Sequence, residues 1–208
     1  MALPADLKGS VDWTIVGPLG PRVPEFLLSY SRLGVDGGAD FCDELDLWVG
    51  DSDSCAELPA CRHLVRHSPE KDLSDLALAL ALFTEDAAYR FHLWGFLGGR
   101  RDHELFNLGE VHRFLKGKAR AEVSIYDGRG ELRFRFFGSG RRTFTHRGTF
   151  SLGTLEATPV TLEGQCRYHI PEGTVLSPLS SFGLSNAASG TFEVRCQGPC
   201  FIYFTETK

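Results

Sequence analysis

Leu45-Asp46-Leu47-Trp48-Val49-Gly50-Asp51-Ser52-Asp53-Ser54 is the stretch on which the reading of this chain turns. Its apolar residues form a short run that stops at Gly50 and is followed at once by two aspartates. A short buried strand ending this way marks the carboxyl edge of a parallel sheet, where open α/β folds bind their ligands. On extended backbone Asp51 and Asp53 project to one side. Carboxylates held that close repel each other unless a cation lies between them, and hard oxygen donors suit Mg²⁺. Magnesium takes one or two carboxylates plus waters and phosphate oxygens, so the ligand implied is a nucleotide phosphate. The same residues also suit an acidic, serine-rich surface turn.

Upstream, residues 11–16 (V-D-W-T-I-V) are a β-rich run broken by Gly17-Pro18-Leu19-Gly20-Pro21, a turn with enough glycine for close backbone approach to a ligand. It has neither the Walker lysine nor GxGxxG spacing. Residues 24–33 carry Phe26, Leu27, Tyr30 and Leu33 at helical spacing behind a proline, which predicts a helix. A second strand then ends in Val35-Asp36-Gly37-Gly38-Ala39-Asp40, a tight turn suited to a ribose or base and equally good as a plain turn.

Downstream, Lys71-Asp72-Leu73-Ser74-Asp75 opens a predicted helix over residues 73–83, with Leu73, Leu76, Leu80 and Phe83 on one face. Asp72 fits its N-cap, and Asp75 either complements the helix dipole or joins Asp51 and Asp53 as a third carboxylate. A further strand, residues 89–96, runs into Gly98-Gly99-Arg100-Arg101-Asp102-His103 and then a helix through Leu105, Leu108, Val111, His112 and Leu115. Backbone N–H groups, a helix dipole and the Arg100 guanidinium there suit an anion. Arg101 reads as a solvated surface residue, and His103 as a structural hydrogen-bonding group in the first helical turn.

Beyond Lys118 the helical period disappears. Residues 122–137 alternate as a hairpin turning at Asp127-Gly128, and more strands follow to residue 205. The expected architecture is an α/β N-terminal domain with a mostly parallel sheet over residues 1–118, and an all-β sandwich or flattened barrel over 119–208. Arginines 129, 133, 135, 141, 142 and 147 read as an exposed face of twisted hairpins. A formal charge of −5 speaks against nonspecific nucleic-acid binding.

The chain has 208 residues and is 42% hydrophobic, enough for an ordinary core. It shows neither a leader-like start nor an apolar run of membrane-spanning length, so the expectation is a cytoplasmic protein without membrane contact. Its six cysteines lack CxxC pairs and read as small buried apolar residues. Cys55, Cys61 and His63 could be sketched as a zinc site, but their spacing fits no common pattern.

Five motifs, in order, resemble those of the thiamin pyrophosphokinases. The turn V-D-G-G-A-D over residues 35–40 is similar to that family's D-G-G-A-N, and G-D-S-D-S over 50–54 to its G-D-x-D-S. K-D-L-S-D over 71–75 resembles [KQ]-D-x-T-D, G-G-R-R-D-H over 98–103 resembles G-G-R-x-D-H, and G-L-S-N over 183–186 resembles G-x-S-N. The resemblance implies a homodimer in which ATP and Mg²⁺ serve transfer of diphosphate to the thiamin hydroxyl, with the vitamin at the subunit interface. It makes Asp51, Asp53 and Asp75 the metal ligands and, with Arg100, the catalytic set. Asp36, Gly37, Gly38, Asp72, Arg100 and Asp102 fall to the nucleotide, and Ser185 and Asn186 to the thiamin rings.

Four departures accompany it. Asp40 stands for asparagine, Ser74 for threonine, and the segment between Asp40 and Gly50 is short. Ala188 stands where family members commonly carry an aromatic, which leaves Phe182 or Tyr203 to face the cationic ring. The alternatives are a pyrophosphokinase acting on another hydroxymethyl heterocycle, such as a pterin, and a noncatalytic binding or sensing dimer.

Overall fold

In the computed structural model, which describes residues 2–51 and 60–205, the strands join into one hydrogen-bonded ladder. Its first part is parallel: β1 (Asp12–Val16), β2 (Ser31–Val35), β3 (Leu45–Gly50), β4 (Cys61–Arg66), β5 (Arg90–Trp94) and β6 (Glu122–Tyr126). They lie in the order β4-β3-β2-β1-β5-β6. The rest is antiparallel: β7 (Leu132–Phe137), β8 (Gly140–Gly153), β9 (Thr158–Cys166), β10 (Val175–Leu176), β11 (Asn186–Cys196) and β12 (Cys200–Phe204). From β6 the order continues β7-β12-β8-β11-β9-β10. β6 thus belongs to both parts, parallel to β5 and antiparallel to β7.

Two helices, α1 (Asp75–Leu80) and α2 (Arg101–Leu115), cover one face of the parallel strands. There Leu76, Leu80, Val111 and Leu115 pack with Trp13, Ile15, Leu47 and Val49 in one buried cluster. The other face buries Val16, Trp48 and Trp94 under Val23 and Leu27. A sheet covered on both faces explains why β3 reads as a nearly unbroken apolar run. The antiparallel strands gather a third cluster around Phe137, Phe150, Leu162, Phe192 and Ile202. Burying each such aliphatic or phenyl side chain stabilises the fold by about 1.5–3 kcal/mol.

Residues 24–33 do not form the expected helix. After Pro24 the chain makes one 3₁₀ turn, Glu25–Leu27, whose last carbonyl accepts the buried Thr14 hydroxyl at 2.6 Å, and then enters β2. Pairing of β2 between β1 and β3 overrides a helical period only three turns long. The helix expected over 73–83 is shorter too. Ser74, not Asp72, is its N-cap, its Oγ accepting from Ala77 N–H at 3.2 Å, and Leu73 is exposed.

The arginines of the β-rich half are not a bare basic face. Arg133 is buried, with Asp127 and Glu131 each at 2.6 Å. Arg135 and Arg142 share Glu122, and Arg141 meets Glu193. Among the described residues no helix is long and apolar enough to cross a membrane.

Candidate active site

The parallel order reverses at β1. From β1 the chain steps to β2, β3 and β4 on one side, then crosses to β5 on the other. Loops leaving the carboxyl ends of β1 and β5 diverge there and open a crevice, the usual ligand position in such sheets. At its floor the two loops touch: Gly17 N–H donates to Trp94 C=O at 2.7 Å, and Leu19 N–H to Gly95 C=O at 3.0 Å. Gly95 has φ +78°, and a Cβ on it would lie 2.5 Å from Gly17 O, so both the turn and the contact demand glycine.

Above this floor lies a cleft of about 440 Å³. Pro18, Leu19, Val35, Leu76 and Phe96 supply apolar walls; Asp36, Ser74, Asp75, Arg100, His103 and Asn107 supply the polar groups. Asp36, the first residue of the turn after β2, holds the left-handed conformation at φ +49°, and its carbonyl accepts Trp48 Nε1–H at 3.0 Å. Gly37 and Gly38 are buried behind it, and a Cβ on Gly38 would meet Val16 O at 2.0 Å. These two glycines therefore seat Asp36 rather than line the cleft. A non-glycine residue held at positive φ beside a cleft is the kind of local cost that clusters at functional sites.

Asp51 and Asp75 converge. His67 N–H donates to Gly50 C=O at 2.9 Å, prolonging the β3–β4 pairing and carrying residues 68–71 over the end of β3. Lys71 Nζ then lies 2.6 Å from Asp51 Oδ2 and 2.8 Å from Asp75 Oδ1. The three side chains are only 15, 10 and 23% exposed, respectively. Burial disfavours the Lys71 charge, and the bonds to Asp51 and Asp75 more than offset it, so its pKa stands above the ordinary lysine value. Two carboxylates offering only oxygen to one cation position fit a hard divalent ion. Asp53, the third carboxylate expected here, lies outside the described residues, and among those described no group of three or more metal-ligating side chains gathers.

Arg100 precedes α2 and lines the cleft, exposed and paired with Asp102. That bond holds the Asp102 carboxyl down to about 2. Asp72 is exposed, neither capping α1 nor lining the cleft.

Ser185 and Asn186 lie elsewhere, at the start of β11. Asn186 is buried and its amide is spent within the chain: Oδ1 accepts Tyr168 N–H at 3.0 Å and Ala187 N–H at 2.8 Å, and Nδ2–H donates to Tyr168 C=O at 2.6 Å. The Asn186 amide thus forms a clamp on the backbone. The clamp presents Ser185, at φ +57°, whose N–H donates to Ser151 Oγ at 3.1 Å. Ser151 borders an apolar recess of about 220 Å³ with Phe134, Leu152, Leu184, Phe201 and Tyr203. Ala188 is buried in the β-rich core, whereas Phe182 is exposed and Tyr203 borders the recess.

Lys71 and Asn107 are not singled out by the sequence, and His103, read there as a structural hydrogen-bonding group, borders the cleft. Lys71 was visible only as part of a motif, although its i, i+4 relation to Asp75 is a usable signal. His103 and Asn107 line the cleft, and the 100–103–107 spacing places both on one face of α2 with Arg100.

Residues 28–123 match the profile of the family described as thiamin pyrophosphokinase, catalytic domain. Nothing among curated proteins matches the chain in sequence. Solved structures do match in fold. The thiamine pyrophosphokinase from Bacillus subtilis superposes with a TM-score of 0.70 at 21% identity, covering 94% of this chain and 100% of that one. A thiamin pyrophosphokinase family protein from Enterococcus faecalis gives 0.70 at 22% identity, with 94% and 100% covered. The thiamin pyrophosphokinase from Candida albicans gives 0.63 at 14% identity, with 93% and 88% covered. Residues 28–123 thus resemble the catalytic domain of thiamin pyrophosphokinases, and nearly the whole length shares the fold of these solved structures.

Proposed function

We propose that the protein transfers diphosphate from ATP to the hydroxyl of thiamin, releasing thiamin diphosphate and AMP, with Mg²⁺ and as a homodimer. The observation that carries this reading is the meeting of Asp51 and Asp75 at one cation position on the sheet rim, beside a cleft reached by Arg100. Asp51, Asp75 and, by the family motif, Asp53 would hold the ion, which supplies charge neutralisation on the phosphate oxygens. Arg100 turns from Asp102 to those oxygens, and the apolar walls seat the base. The acceptor oxygen attacks the β-phosphorus as the bond to the AMP oxygen breaks, and the hydroxyl proton leaves to a carboxylate or water. Positioning and charge stabilisation are most of what such a transfer asks of a protein.

Ser185 and the recess at Tyr203 and Phe201 receive the acceptor rings, and a second copy of the chain completes that site. Incubating the protein with ATP, Mg²⁺ and thiamin tests the reading: AMP and thiamin diphosphate should appear in equal amounts. No AMP release above background would overturn it. A second acceptor class is favoured by one observation, the buried Ala188 in place of an exposed aromatic. AMP release with hydroxymethyl pterins but not with thiamin would establish that reading.

A further inference from the structure

Lys71 occupies the place between Asp51 and Asp75 that a metal ion would take. Its Nζ is within 2.8 Å of an oxygen from each carboxylate, and the side chain is largely buried there. The backbone is built to put it there: residues 68–71 are turned by Glu70 N–H onto Ser68 Oγ at 3.2 Å and by Lys71 N–H onto Pro69 C=O at 3.1 Å. Its placement on both carboxylates is therefore part of the fold rather than a chance surface pair.

We infer that Lys71 is a positioning residue that holds the carboxylates together while no metal is bound and gives way to the divalent ion as it arrives. Two anionic carboxylates this close and this buried repel each other without a cation between them. The Lys71 ammonium removes that repulsion and fixes the spacing of the oxygens. A dication approaching the same oxygens repels the ammonium, and both cannot keep contacts of this length. The four-carbon stem lets Nζ swing away towards the cleft, where the anionic phosphates of a nucleotide would meet it. Ammonium and metal thus compete for one position, so the chain loads the ion more readily together with phosphate than alone.

This inference rests on the metal reading given above, and the test separates the two. Mn²⁺ alone, without nucleotide, is titrated into the full-length protein and followed by loss of the free-ion electron paramagnetic resonance signal. Removing the competitor in Lys71→Met should tighten Mn²⁺ binding by roughly tenfold or more. Lys71→Arg, which keeps the charge, should bind as the unaltered protein does, and Lys71→Gln gives a second neutral variant should the methionine misfold. Asp75→Asn should lose binding in either background. A lysine that merely braces the loop predicts the opposite sign, weaker binding on its removal. Equal or weaker Mn²⁺ binding by the folded neutral variants overturns the role of Lys71 while leaving the metal site standing. Absence of Mn²⁺ binding by every form overturns both.

Discussion

Asp51, at the end of β3, and Asp75, in the first turn of α1, both contact the Lys71 ammonium, at 2.6 and 2.8 Å. Distant in sequence, they meet where β4, which lies between them in the chain, pairs with β3 and His67 N–H extends that pairing to Gly50 C=O. Replacing either by asparagine keeps the size of the side chain and removes its charge. AMP formation from ATP and thiamin should fall by about 10²-fold or more, with far-UV circular dichroism unchanged.

Arg100 pairs with Asp102 and, under the proposed function, would turn to phosphate. Arg100→Ala should raise the KM for ATP by roughly tenfold or more, and Arg100→Lys should recover only part of it, since an ammonium cannot reproduce the guanidinium fork. The same alanine variant frees Asp102. Its carboxyl should move from about 2 back towards 3.8, read by NMR titration of the carboxyl carbon. Because the folded value is depressed, this pair contributes above pH 3.8 and its contribution disappears as pH falls through about 2.

Gly38 packs its backbone against Val16, where an added Cβ would lie 2.0 Å from the carbonyl oxygen. Gly38→Ala should cost about 3 kcal/mol or more, measured by urea unfolding. Disturbance of the Asp36 turn should weaken nucleotide binding in whatever fraction remains folded.

Asn186 ties Tyr168 to the start of β11 through two hydrogen bonds, and its Oδ1 accepts a third from Ala187 N–H. Asn186→Ala removes the side-chain partner of the Tyr168 and Ala187 backbone groups and should destabilise the protein by about 1–2 kcal/mol. With Ser185 no longer held, KM for the acceptor should rise more than KM for ATP.

Two histidines set the acid side of stability. Burial lowers the pKa of His92, stacked on Tyr30, and of His112 on α2, despite Asp12 and Glu156 pulling the other way. Both are held neutral in the fold, so the unfolded chain takes up protons first as pH drops below 6.5. The thermal midpoint should therefore fall as pH drops below 6.5, and His112→Gln should flatten that slope.

Much of this was legible in the chain. Gly50-Asp51 reads as a strand end because apolar burial on both faces and an abrupt polar stop are local signals, and β3 confirms the strand. Arg100 beside the cleft was equally plain from the glycines before it. What sequence misplaced were features decided at a distance. The helical spacing of residues 24–33 is real, yet pairing with strands on both sides makes 31–35 a strand. Asn186 looks like a ligand group until its amide is seen spent on Tyr168, a neighbour only in space. Ala188 looks like a missing aromatic until its side chain is found facing inward.

The ladder also limits how the chain can be divided. Strand β6 is paired along its length with β5, Arg90 opposite Glu122 through Leu93 opposite Ile125, while its other edge carries β7. A protein shortened to end after Lys118 would strip β5 of that neighbour and bare a row of peptide groups directly below the Gly95 turn. Such a fragment would offer a sticky rim to other molecules, so residues 1–118 depend on those that follow them to keep that edge covered.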